Sequence, residues 1–183
     1  MLAYSSIAQA GTMLIGLVAV ASGQGLSSVM VYLYIYSFMN LGAFAVVIAV
    51  GNETGSALID DLKGLSKRNP FLAFTFTVFL LSLAGVPPLG GFIAKFMVFA
   101  AAIESHHILL AVAGIVNSVI SVFYYLNIVR VMYIAPAPDQ PALRPARTLR
   151  LAVLLAFVMV LATGLFPAPL LNWVGSVHLL APL

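Results

Sequence analysis

Lys95 is the side chain in this sequence best suited to chemistry. It is the only charged residue between Arg68 and Glu104, and it sits in the stretch GVPPLGGFIAKFMVF at 85–99. A charge placed in hydrocarbon costs about 2.5–3.5 kcal/mol even on insertion scales, so such residues usually face a bundle interior and serve ion movement. A buried ammonium can bind and release a proton as a neighbouring charge moves. The alternative is a lysine that snorkels, keeping its head in water at an interface. Pro87, Pro88, Gly90 and Gly91 stand just before it. A helix break beside the lysine favours proton transfer.

Other polar residues could share that work. Asn117, Ser121 and Tyr124 recur at helical spacing, with Tyr125 and Asn127 nearby. They can line a hydrated path beside Lys95, or join helices by hydrogen bonds. Asn40 is a further inward-facing candidate. Ser5, Ser6 and Gln9 form a polar patch that reads as packing. Tyr32, Tyr34 and Tyr36 read as interface anchors. Glu104, His106 and His107 read as solvated loop residues ahead of a metal or proton-exit group. Cysteine is absent, which removes disulfides, thiolate metal sites and a Cys nucleophile. There is no GxGxxG, P-loop or HExxH pattern. Any redox reaction therefore belongs to another subunit.

The elements that position these residues follow from composition. The chain has 183 residues, of which 63% are hydrophobic and 7% charged. A soluble domain carries about 25% charged residues. So few charges cannot cover a water-soluble fold, and the chain is integral to a membrane. Its net charge of +3 does not point to nucleic acid, because the cations flank apolar spans, where they set orientation.

A bilayer core takes about 20 apolar residues per helix. Five spans result, at 2–22, 27–50, 70–104, 107–134 and 149–165, in a single transmembrane domain. The third is too long for one crossing: thirty-five residues at a 1.5 Å rise would cover about 52 Å. Proline removes amide donors and restricts the residue before it, and glycine weakens helix. The expectation is an all-α fold whose third span is discontinuous near 86–90, with halves at 71–85 and 89–104. Broken helices of this kind mark ion or substrate pathways in transporters. The loop at 51–69 and the proline-rich loop at 135–148, with their flanks, hold Lys63, Lys67, Arg68, Arg130, Arg144, Arg147 and Arg150, and the opposite side holds no Lys or Arg. The positive-inside rule then puts the start of the chain in the cytoplasm and its C-terminus outside. A short amphipathic tail with Trp173 is expected at the interface.

MLAYSSIAQAG, LKGLSKRNPFLA, LSLAGVPPLGGFIAKFMVF and VNSVISVFYYLNIVRVMY resemble the antiporter-like membrane subunits of proton-pumping NADH–quinone oxidoreductase (respiratory complex I), in particular subunit N, the counterpart of mitochondrial subunit 2. The lysine followed by Phe and the GLSKRNP loop carry the preference for subunit N. The resemblance implies an architecture of about fourteen helices with two inverted five-helix repeats, each with one broken helix. This chain would be the tenth to fourteenth helices, its broken span the twelfth, and Lys95 the lysine on the proton path. The implied activity couples quinone reduction to proton transfer in the bacterial plasma membrane. FMN, iron–sulfur clusters and quinone are implied for other subunits, with no cofactor in this chain. Partners would be other complex I membrane subunits, above all neighbouring antiporter-like ones, and lipid. The family's first repeat, with its broken helix and its Glu and Lys residues, is missing here. Residues 1–20 hold no Lys or Arg and open within an apolar run, so no secretory leader is expected and the chain reads as a C-terminal fragment or split product. Two alternatives stand beside this: a subunit of a multi-subunit cation/proton antiporter or membrane-bound hydrogenase, and a structural remnant without transport.

Overall fold

The computed structural model describes residues 1–136 and 142–180, without the side chains of 21, 22 and 177–180. Among the described residues there is no strand. The helices are α1 (Leu2–Val18), α2 (Gly25–Thr54), α3 (Leu65–Arg68), α4 (Pro70–Ala84), α5 (Gly90–Glu104), α6 (Ile108–Tyr133), α7 (Arg147–Leu165) and α8 (Ala168–Leu180). Three of them, α2, α6 and α7, are long and apolar enough to cross a membrane by length and composition. The shorter α1 is continued by a 3₁₀ turn at Ala19–Ser22. α4 and α5, of 15 residues each, are the two halves of one broken span.

The break sits where the prolines and glycines predict it. α4 starts on Asn69, whose side chain accepts the Leu72 N–H at 3.1 Å, with Pro70 in the first turn. It ends at Gly85, whose φ of 89° is open to glycine and strained for other residues. Five residues later α5 begins. α7 covers one side of the backbone between them at Pro88–Gly90, while Pro87 and Pro88 are themselves exposed. At Gly164 of α7, a Cβ would come within 2.2 Å of the Pro88 oxygen. Irregular backbone at membrane depth persists only under such cover or beside water.

α2 is the central helix, packed against α1, α4, α5, α7 and α8. Its buried residues include Ile35, Met39, Ala43 and Val46. It continues past the expected end at Val50 to Thr54. The turn comes at Gly55, in the left-handed region (φ 75°), while Gly51 stays helical.

The loop after α2 folds back on the bundle. Leu62, Leu65 and Arg68 are buried in it. The Leu143 amide donates to the Arg68 oxygen at 3.2 Å, Asn69 Nδ2 donates to the Leu143 oxygen at 2.9 Å, and the Arg144 amide donates to Glu53 Oε1 at 2.7 Å. The two basic loops therefore meet at one end of the bundle. The proline-rich link is non-helical at 136 and 142–146; residues 137–141, on which part of that loop falls, lie outside the described residues. Asn69 both caps α4 and ties the two loops. Asn69→Ala is expected to lower stability by about 1–2 kcal/mol, read as a lower melting temperature of the detergent-solubilised protein.

Candidate functional site

Lys95 lies one and a half turns into α5 and is only 6% exposed. Its side chain crosses back over the break. A Cβ at Gly85 would come within 2.9 Å of Lys95 Cδ, so glycine there leaves room for the lysine. Nζ donates to the carbonyl oxygen of Ala84 at 3.2 Å. Ala84 is the last residue of α4, where unpaired carbonyls carry the negative end of the helix dipole. The ammonium is thus held by a helix terminus. Among the described residues the ion pair is Lys63–Asp60 at 3.0 Å, far along the chain from Lys95. A cation at a helix C-terminus gains at most about 2 kcal/mol, which offsets only part of the burial cost.

Two further groups at the break are bonded by side chains. Ser82 Oγ accepts the Gly91 N–H at 3.0 Å, and Gln9 Nε2 donates to the Leu83 oxygen at 3.0 Å. Lys95, Gln9 and Ser82 thus bond three groups at the facing ends of α4 and α5.

Two cavities border Lys95. One is polar and tight, with about 170 Å³ of empty space and no place that admits a water molecule. Gln9 and Thr12 of α1 line it with Asn117, Ser118, Ser121 and Tyr124 of α6. The other is an apolar lateral groove of about 700 Å³ between α5 and α6, lined by Pro87, Phe92, Phe96, Phe99 and Val119 with Lys95 at its floor.

The structure brings Asn117, Ser121 and Tyr124 to the Lys95 pocket. Ser121 is buried and donates to the Ser118 oxygen at 2.6 Å. Asn117 is exposed and Tyr124 half-buried. Asn40 is half-buried and lines neither Lys95 cavity. Pro87 and Pro88 lie in the break, joined by a cis peptide bond, whereas Gly90 and Gly91 are the first two residues of α5. Among the described residues no three His, Asp or Glu side chains gather to hold a metal.

One part of the site escaped the sequence reading. Tyr32 is fully buried, not an interface anchor. Its hydroxyl donates to Gln9 Oε1, and Gln9 Nε2 also donates to the Tyr125 hydroxyl at 3.3 Å. The Tyr125 hydroxyl is bonded in turn to Ser5 Oγ. The available signal was Ser5, Gln9 and Thr12 at spacings of four and three, one face of α1. The packing patch expected at Ser5, Ser6 and Gln9 does not follow that face, which Ser5 and Gln9 share with Thr12.

A family model described as NADH:quinone oxidoreductase/Mrp antiporter, TM, matches residues 1–121. NADH-quinone oxidoreductase subunit N of Desulfitobacterium hafniense is 40% identical over 185 residues, covering 93% of this chain and 37% of that protein. Subunit N 1 of Herpetosiphon aurantiacus is 47% identical, covering 91% of this chain and 34% of its own length. The chain thus spans little more than a third of the length of the curated relatives it matches. Among solved structures, a chain of respiratory complex I from Thermus thermophilus with bound aureothin is 33% identical, with a TM-score of 0.78 over 93% of this chain and 38% of that one. A chain of the Mrp complex from Dietzia sp. DQ12-45-1b shares the fold, with a TM-score of 0.71 at 22% identity over 84% of this chain and 37% of that one.

Proposed function

This chain belongs to the NADH:quinone oxidoreductase/Mrp antiporter membrane family, and from that premise we propose that it is a proton-translocating membrane part of an NADH–quinone oxidoreductase, with Lys95 as the proton-exchanging group. The observation that carries the reading is the placement of Lys95. A buried ammonium rests on the open carbonyl end of a broken helix and adjoins a polar pocket. Its partner is a neutral carbonyl, so proton loss leaves no stranded counter-ion. Ser118, Ser121, Tyr124 and Asn117 offer hydroxyl and amide groups on the far side of the pocket. The pocket admits no water molecule, so exchange through it requires side chains of α6 to turn toward Lys95. Redox chemistry and its FMN, iron–sulfur and quinone groups belong to other subunits in this reading, and the partners are neighbouring antiporter-like subunits. Loss of proton pumping in Lys95→Ala tests it.

A cation/proton antiporter subunit is the second reading, favoured by the Mrp term in the family description and the Mrp fold match. Co-purification separates the two. Flavin and iron–sulfur subunits support the oxidoreductase; a purely membranous complex with Na⁺-dependent exchange supports the antiporter.

The basic loops face the cytoplasm of a bacterial plasma membrane in this reading, with α1 starting there. The chain has no cysteine, so single introduced thiols report cleanly. Lys67→Cys is expected to react with an impermeant maleimide only in inside-out vesicles, and His107→Cys only in right-side-out ones. The reverse pattern would invert the orientation.

A further inference from the structure

Gln9 is the centre of a buried hydrogen-bonded file that joins four helices. From α1 its amide reaches Leu83 of α4, Tyr32 of α2 and Tyr125 of α6, and Tyr125 passes the contact to Ser5. One end of the file is at Lys95: Leu83 precedes Ala84, whose oxygen holds the ammonium, and Gln9 and Lys95 line the same pocket. The other end is near the basic loops. The start of α1 lies against Leu58, Ile59 and Leu62 around a shared apolar pocket. The file thus leads from the buried lysine toward the loop end of the bundle.

Such a file resembles a proton wire, but Gln9 interrupts it. The Leu83 carbonyl can only accept, so the atom facing it is the amide nitrogen, and the carboxamide is fixed in one orientation. Both of its N–H groups are then used, and its oxygen is taken by Tyr32. A relay member must accept a proton on one side, release one on the other and reorient. A carboxamide does not titrate as acids and imidazoles do. This one cannot turn over without setting its oxygen against the Leu83 oxygen and leaving that buried carbonyl without its donor.

We infer that Gln9 is a proton-tight plug: it fixes the end of α4 under Lys95 while closing the α1 side of the lysine to protons. Lys95 then exchanges protons toward Ser118, Ser121 and Tyr124. This rests on the proton-transfer reading of Lys95. It makes Gln9 a positioning residue that also directs the proton.

The test uses sealed vesicles carrying the complete membrane assembly, with turnover stopped by withholding the electron donor. Gln9→Glu puts a titratable group of nearly the same shape into the file. It is expected to speed decay of an imposed pH gradient at least about tenfold, a threshold below the roughly 10²–10⁴-fold that a positioned proton-transfer group contributes. Adding Lys95→Ala to Gln9→Glu is expected to restore the wild-type decay. Gln9→Leu breaks the Leu83 bond without adding a proton carrier, and its decay is expected to match wild type. Where Gln9→Glu fails to assemble, Gln9→His takes its place with the same expected leak. Vesicles of an assembled Glu or His variant as tight as wild type overturn the inference. So does an equal leak in Gln9→Leu, or a leak that survives Lys95→Ala. Lys95→Ala alone, read by pumping during turnover, tests the parent reading. Its failure removes both ideas, whereas failure of the Gln9 arm leaves Lys95 in place.

Discussion

Lys95→Ala is expected to lower proton translocation per quinone reduced at least about tenfold while the complex still assembles. The substitution removes the one titratable group at the break and leaves the Ala84 oxygen without its donor. A lost hydrogen bond to a charged group costs about 1.5–3 kcal/mol. Removing a buried charge returns about 2.5–3.5 kcal/mol on insertion scales. The two terms are similar and opposed, so assembly survives while the chemistry does not. Lys95→Arg separates charge from proton exchange. A guanidinium stays protonated in proteins. If Lys95 served only as a fixed positive charge, arginine would replace it. If it must give up a proton, Lys95→Arg fails as Lys95→Ala does.

Gly91→Ala is expected to leave little assembled protein in the membrane. A Cβ there would lie 1.8 Å from the Ser82 oxygen and 2.6 Å from the Ser82 carbon. Both are backbone atoms at the end of α4, so no rotamer change relieves the clash. α4 and α5 must separate, and the Gly91 N–H to Ser82 Oγ bond is lost. Overpacking against movable side chains already costs about 1–3 kcal/mol, and against backbone the penalty lies at or above the top of that range. Gly11→Ala is the matched control, since a Cβ there meets nothing within 4 Å. Immunoblots of washed membranes check both. Normal levels of the Gly91 variant would contradict the close approach of the half-helices.

The broken helix was legible in the sequence because it follows from local chemistry. Pro87 and Pro88 lack amide donors, Gly90 and Gly91 lower helix propensity, and the apolar run from 70 to 104 is too long for one crossing. The face of α6 carrying Asn117, Ser121 and Tyr124 was legible from helical spacing. What it faces was not, because spacing gives a face and packing gives its partner. Gln9 shows the limit most clearly. Its type and position say only that it is polar and on a helix, whereas its meaning comes from Leu83, Tyr32 and Tyr125, which are 74, 23 and 116 residues away. Tyr32 is ambiguous in sequence because an apolar ring with a polar tip suits both a membrane interface and a buried site with one bond partner. The sequence GNETG marks the end of α2 without saying which glycine turns, and it is Gly55 that adopts the left-handed conformation.

The central claim is that Lys95 exchanges a proton, and the ratio of protons moved to electrons passed tests it most directly. Sealed vesicles carrying the complete complex with Lys95→Arg would be compared with wild type, quinone reduction and acidification being followed together. The account predicts an assembled complex whose ratio falls to near the background of the uncoupled membrane. An assembled Lys95→Arg complex with the wild-type ratio would contradict it.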